Sequence, residues 1–418
     1  MSHQKLQFQA LEVLSTLPQL DNPILLCFND QWVLSHQPSE RLSDLQSLKN
    51  KLSARSVVSP DSATDTKSAI NPNKHFQSGW AGTFAYPDIG QSLDAEFYYY
   101  PASLLLDIHS GDVFLQNPNN LSEHDIKQWL QPLQHQLDKP LPPEEPHARQ
   151  WRAAWNKDQY QQSFQQVQEY LKSGDCYQIN LTMPFYCDSD LRDASPLPLL
   201  TSFNPRFGGY FKTEQQTLFS VSPERFIRVD GQRIETSPIK GTLPRGQSQA
   251  EDQQLAEQLS SSLKNQAENL MIVDLLRNDL SINATPHSVK AEKLFALESH
   301  ANVHHLVSTI SAEKRPDKTA ADVILDAFPG GSITGAPKRR AMEIIEELEC
   351  QPRGLYCGSL GYFDDAGYAD FNILIRSIVA AQDGATCWGG GGVTVDSTAD
   401  DEYQEIMNKV GKILATPI

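Results

Sequence analysis

The segment Cys176–Met183 reads CYQINLTM and sets Tyr177, Ile179 and Leu181 against Gln178, Asn180 and Thr182, the two-residue period of a strand with one apolar face. LFSVSPERFIRVDG and DFNILIRSIVAA also read as strands. Helical patterns are interspersed from Trp151 onward, without the regular strand–helix–strand rhythm that a parallel sheet requires. The expectation is a large α+β body built on mostly antiparallel sheets. A chain of 418 residues exceeds one minimal core. Two units are expected, an N-terminal subdomain over 1–146 and a catalytic domain over 147–418. The Pro-rich LDKPLPPEEPHAR (Leu137–Arg149) marks the boundary, and Leu48–Lys74 is read as a polar loop.

The formal net charge is −17, which argues against nucleic acid and anionic membranes as general partners. An anionic substrate would need local positive charge. No basic stretch followed by an apolar run opens the chain, and runs such as ILLCF fall far short of the roughly 20 residues of a membrane span. The six cysteines lack C-x-x-C spacing and read as reduced thiols in a cytoplasmic protein.

STADDEYQEIMNKVGKIL predicts a helix capped by Ser397 or Thr398, with Tyr403, Ile406, Val410 and Ile413 as its apolar stripe. Glu402, Glu405 and Lys409 fall on an adjacent stripe. They form either a solvated face or two carboxylates for a hard cation beside a lysine for an anion. Glu268 opens a second helix, apolar nearly all round from Leu270 to Leu276, and needs a partner there. Mg²⁺ fits, and so does a salt bridge to Arg277 or Lys264.

FPGGSITGAPKRRAMEIIEELE places glycines, Ser332 and Thr334 ahead of Pro337 at a helix start. Ala336 and Pro337 replace the lysine and hydroxyl residue of a nucleotide-binding loop, which excludes that reading. WGGGGVTVD (Trp388–Asp396) permits close approach to its backbone. Arg376, read as mid-strand, calls for an acid, either a structural carboxylate or one of the substrate's. Lys240 lies in ETSPIKGTLPRG between isoleucine and glycine.

Taken in order, CYQINLT, SPERF, ETSPIKGT, AENLMIVDLLRNDL, HHLVST, PGGSITGAPKRRAMEIIEELE, GLYCGSLGYF, GGGGVTVDS and EYQEIMNKV resemble the chorismate-utilising enzymes. Within them they are most similar to the branch that makes 4-amino-4-deoxychorismate, the precursor of p-aminobenzoate and folate. The resemblance runs from about Trp151 to the C-terminus and is looser before it. It implies two large antiparallel sheets stacked face to face with helices outside. It implies Mg²⁺ held by Glu268 and Glu405, with Glu402 as a supporting carboxylate. Substrate would be held by Thr334, Tyr356, Arg376, Lys409 and the Gly391–Gly392 backbone. Glu224 would be the general acid/base, and His305 would face the ring.

Lys240 stands where anthranilate-forming relatives carry alanine. The resemblance makes it a covalent nucleophile at carbon 2, displaced later by ammonia at carbon 4. Gln178 stands where isochorismate- and salicylate-forming relatives carry a lysine that activates water; glutamine takes no proton at neutral pH. Ser237 and Asn265 depart from the usual arginine and acidic residue. No cysteine lies in a glutaminase elbow, so a separate glutamine amidotransferase subunit is expected to supply ammonia. The alternatives are an anthranilate-forming enzyme, or a non-catalytic subunit that binds chorismate or an amino acid.

Overall fold

The computed structural model describes residues 4–56, 75–139, 149–299, 303–349 and 351–418. Among them, two antiparallel sheets of 12 and 10 strands carry the fold. Ile24–Phe28 shows why strand sequences here run apolar without alternation. Leu25 and Cys27 enter a core between the larger sheet and helices Glu123–Leu137, Lys157–Ser173, Lys338–Leu348 and Ala399–Ala415. Ile24, Leu26 and Phe28 enter a second core, where they meet Ala81, Tyr98, Leu360 and Tyr362 of the smaller sheet. The sheets therefore stack face to face. A third core joins the outer face of the smaller sheet to helices Leu263–Ser281 and Ala320–Ala327.

Strands from the N-terminal segment complete both sheets. Ile24–Phe28 pairs with Phe207–Lys212, and Gly79–Phe84 pairs with Ser359–Asp364. Segments 1–146 and 147–418 thus share their sheets; the boundary itself lies outside the described residues. Of the polar loop expected over 48–74, residues up to Ser56 belong to helix Leu45–Ser56, and residues 57–74 lie outside the described ones.

Two sequence runs read as single strands are each two strands in different sheets. Thr217–Ser220 lies in the larger sheet and Arg225–Asp230 in the smaller. Ser377–Ala381 and Tyr368–Asn372 divide the same way. The two runs pair with each other in both sheets, so they change layer side by side. Ile373 N–H donates to Glu224 O at 3.0 Å, Val221 N–H to Arg376 O at 3.1 Å, and Ser222 Oγ to Ile373 O at 2.6 Å. Arg376 accordingly occupies the bend between strands, at φ 52°, and not the middle of one. Hydrophobic periodicity misses this, because both halves of each run are buried on both faces.

Candidate active site

Glu224 and Arg376 stand at these two crossovers. Glu224 is 8% exposed. Its chain neighbour Arg225 does not pair with it: Arg225 forms a buried ion pair with Asp370 at 3.0 Å and lies over the Phe207 ring. Glu224 Oε1 instead accepts a 2.7 Å hydrogen bond from Ser332 Oγ. Burial pushes the Glu224 carboxyl above the usual carboxylate range, while Ser332, Lys240, Lys409 and Arg376 pull it back. Burial also lowers Arg376, against the Glu224 charge.

Lys240 lies on strand Ile239–Pro244, which is half-buried along much of its length. Gly241, at φ +81°, lets this strand lie on the first turn of helix Leu263–Ser281: a Cβ there would come within 2.9 Å of the Asn265 amide carbon. Lys240 is therefore beside the helix that carries Glu268. Its charge acts on both Glu224 and Glu405. His305 joins the same strand pair, its Nδ1 2.9 Å from Thr242 Oγ1.

Glu268 faces Lys264 at 4.0 Å; Arg277 pairs with Asp274 instead. Helix Leu263–Ser281 is not buried all round: Ile272, Val273, Leu276 and Leu280 face the core while Leu270 is half-exposed. The Lys264 charge also reaches Glu402 and Glu405 on the C-terminal helix, which brings the three glutamates into one neighbourhood. Thr398 caps that helix, accepting from Asp401 N–H; Ser397 donates instead to Glu402 Oε1 at 2.7 Å. Burial raises the Glu402 carboxyl, Ser397 opposes this and Glu405 adds to it. Burial would raise Glu405 too, but Lys409, 2.7 Å away, Lys240 and Lys264 hold it below the usual range. Among the described residues no three His, Cys, Asp or Glu side chains gather about one point.

The glycine run lies between these groups. Strand Gly384–Val393 pairs with Gln178–Cys187. A Cβ on Gly391 would come within 2.9 Å of Glu402 Oε2, and one on Gly392 within 2.7 Å of Gln178 Nε2. Bare backbone is what lets the acidic helix close on one face and Gln178 lie flat on the other. Lys409 Nζ donates to Gly390 O at 2.9 Å. Gln178 is fully buried, and neither polar atom of its side chain has a protein partner. Such a group is costly unless something else satisfies it, so Gln178 fits a ligand-facing position. Tyr356 stacks on Trp388 of the glycine strand at 5.4 Å. Thr334 is fully buried, its hydroxyl donating to Gly330 O at 3.1 Å, so it shapes the loop that carries Ser332.

Charge thus links Glu224 with Lys240, Arg376 and Lys409, and Glu405 with Lys409, Lys240 and Lys264, while Lys264 also acts on Glu402 and faces Glu268. Gln178 lies against Gly392, Thr334 shapes the Ser332 loop, Tyr356 stacks on Trp388 and His305 bonds Thr242. Sequence reasoning missed Ser397 as the holder of Glu402, and the buried pair Glu349–Arg353 behind the site. Nothing in the spacing of a glutamate and an arginine four apart after a helix marks them as buried. Four cations face four carboxylates here, in a chain of net charge −17. Formal charge is therefore balanced here, against the acidic surplus of the whole chain.

The chain matches the family model for chorismate binding enzymes over residues 21–415. It is 40% identical over 367 residues to aminodeoxychorismate synthase component 1 of Escherichia coli (strain K12), spanning 84% of this chain and 79% of that protein. The protein of the same name from Salmonella typhimurium (strain LT2) is 40% identical over 363 residues, 82% of this chain and 78% of its own length. Anthranilate synthase component I from Streptococcus pneumoniae TIGR4 superposes with a TM-score of 0.76 over 92% of both chains at 23% identity, a likeness of fold.

Proposed function

This chain belongs to the chorismate binding enzymes, and we propose that it is an aminodeoxychorismate synthase component that aminates chorismate to 4-amino-4-deoxychorismate. The observation that carries this reading is that the strand bearing Lys240 lies against the first turn of the Glu268 helix, with the Lys240 charge felt by both the buried acid Glu224 and Glu405.

Glu268 and Glu405 would hold Mg²⁺, with Glu402 supporting from behind. Both are hard oxygen donors, and the carboxylate charge that Lys264 and Lys409 face here is the charge a cation would take up in their place. Two protein carboxylates suffice for Mg²⁺, which fills its remaining positions with water and substrate oxygens. When bound, the ion would neutralise a substrate carboxylate and fix the ring. Arg376 and Lys409 supply further positive charge, and the Gly391–Gly392 backbone leaves room beside them.

Lys240, as free amine, attacks carbon 2 of the ring, and both ring double bonds shift by one position as the hydroxyl leaves carbon 4. Glu224 delivers the proton that makes this hydroxyl depart as water. Its burial favours the protonated form that can do so. Ammonia then bonds to carbon 4, both double bonds return to their first positions, and the Lys240 nitrogen is expelled. Two displacements leave nitrogen on the face the hydroxyl occupied. Gln178 offers no base to activate water at carbon 2.

Ammonia would come from a second component, a glutamine amidotransferase. The relatives' name, component 1, supports a second chain. The described cysteines, Cys27, Cys176, Cys187, Cys357 and Cys387, are all buried, and burial raises Cys357 and Cys387 to about 12, which suits no glutaminase nucleophile. Cys350 lies outside the described residues. Among the described residues no helix is long and apolar enough to cross a membrane.

The test is incubation of the chain with chorismate, Mg²⁺ and ammonium, read by mass spectrometry. An amine product that retains the enolpyruvyl group supports the reading. Fluorescent anthranilate with released pyruvate, or no turnover, rejects it. Glutamine turnover by this chain alone rejects the second component.

A further inference from the structure

Strand Gln178–Cys187 loses its neighbour early. The two-residue strand Gly335–Ala336 pairs only with Gln178 and Ile179, and Asn180 N–H then donates to Thr334 O at 2.9 Å. Beyond that point the strand edge is buried, and its backbone groups need partners. A salt bridge supplies them. Arg353 Nη2 donates to Asn180 O at 2.7 Å, and Glu349 Oε1 accepts from Thr182 N–H at 3.1 Å and Thr182 Oγ1 at 2.7 Å.

The pair is itself two-pronged, with Arg353 Nε to Glu349 Oε2 at 2.8 Å and Nη2 to Oε1 at 2.7 Å. Its side chains are 1% and 3% exposed, and the guanidinium lies 4.7 Å from the Tyr86 ring centroid. The remaining prong, Nη1, donates to Ile333 O at 2.9 Å. Ile333 also accepts from Asn180 Nδ2 at 3.0 Å and follows Ser332, which holds Glu224.

We propose that Arg353, aligned by Glu349, is a positioning residue that sets the acid Glu224 by locking the Ser332 loop to the strand bearing Gln178. Arginine suits the task because a planar fork can hold a carboxylate and two carbonyls at once; lysine, a point charge, cannot hold all three in that geometry. The inference rests on the role given to Glu224 in the proposed function. Glu224 faces Ser332, Lys240 from strand Ile239–Pro244, Arg376 from the second crossover, Lys409 from the C-terminal helix and Cys357. Of these, only Ser332 sits on the loop that Arg353 holds. Loss of its hydrogen bond removes one influence that keeps the Glu224 carboxyl from rising further.

The experiment compares pH–kcat profiles of Arg353→Lys, Ser332→Ala and Glu224→Gln with the parent chain, using ammonium as nitrogen source. The limb set by Glu224 is the one missing from Glu224→Gln. In Arg353→Lys that limb moves to higher pH, as in Ser332→Ala, and kcat falls by about 10²-fold, the scale of an ångström-size misplacement. A folded Arg353→Lys with an unmoved limb, beside a Ser332→Ala whose limb moves, overturns the positioning role and leaves the proposed function standing. Retention of parental turnover and both limbs by Glu224→Gln overturns the role of Glu224 and this inference with it. Glu349→Gln keeps the size of its residue and is read on the same limb. Should Arg353→Lys misfold, a raised limb in Glu349→Gln supports the positioning role and an unmoved one overturns it.

Discussion

Arg225 pairs with Asp370 at 3.0 Å and leaves its neighbour Glu224 to Ser332. Glu224 is thus a buried carboxyl raised by burial, and its ionised form costs the fold stability. The group favours the folded state below the pKa of the unfolded chain and loses that advantage as pH rises through the folded value. Glu224→Gln should therefore melt higher than the parent at pH 7, by on the order of 1 °C, with the gap closing below about pH 4. Turnover should fall by about 10²- to 10⁴-fold in the same variant. Calorimetry across pH and a chorismate–ammonium assay read the two effects.

Lys240→Arg should be as inactive as Lys240→Ala, because a guanidinium stays protonated and cannot attack. With chorismate and Mg²⁺ but no ammonia, the parent should gain the mass of chorismate less one water on Lys240. Neither variant should gain it. A parent that forms no adduct at any pH between about 6 and 9, the range that brackets neutral turnover, would remove the covalent step.

Glu268→Gln and Glu405→Gln should each raise the Mg²⁺ concentration for half-maximal turnover by at least about 10-fold. Lys409 contributes to the low position of the Glu405 carboxyl. A depressed carboxyl is ionised above its folded pKa, and metal binding is lost as pH falls through that value. Lys409→Met lifts the carboxyl, so the acid edge of Mg²⁺ dependence should move to higher pH. Binding of Mn²⁺ followed by electron paramagnetic resonance checks this apart from turnover.

Asp370→Asn removes the nearest carboxylate from the Arg225 guanidinium, in a site where the two partners are 7% and 1% exposed, and leaves it Asn29 Oδ1 at 2.6 Å and Glu235 at 3.6 Å. Removing one member of such a pair costs about 3–5 kcal/mol. Urea unfolding should show that loss, and turnover at room temperature should drop with it, because the pair anchors the strand that begins just after Glu224.

The alternation in CYQINLTM was legible from Gln178 onward, because Ile179, Leu181 and Met183 meet the helix-covered core while Gln178, Asn180 and Thr182 turn away from it; Tyr177, expected on the apolar face, precedes the strand and is 72% exposed. The glycine run was legible as close approach, and the geometry at Gly391 and Gly392 gives the reason. The layer changes at Glu224 and Arg376 were not, since periodicity reports which side of a strand is apolar and not which sheet the strand joins. Leu270 misled for a related reason: a helix can be apolar all round in sequence and still turn a leucine outward. The partners of Glu349 and Arg353 are mostly backbone atoms, which leave no mark on side-chain pattern.

The paired crossovers couple shape to chemistry. With both segments stepping between layers at one level, the sheets cannot slide past each other without drawing Glu224 away from Arg376. Alignment of the sandwich and spacing of the reacting groups are then one mechanical quantity. Loosened packing far from the cleft, among Leu26, Phe211 or Tyr362, will register as a slower enzyme before it registers as an unfolded one.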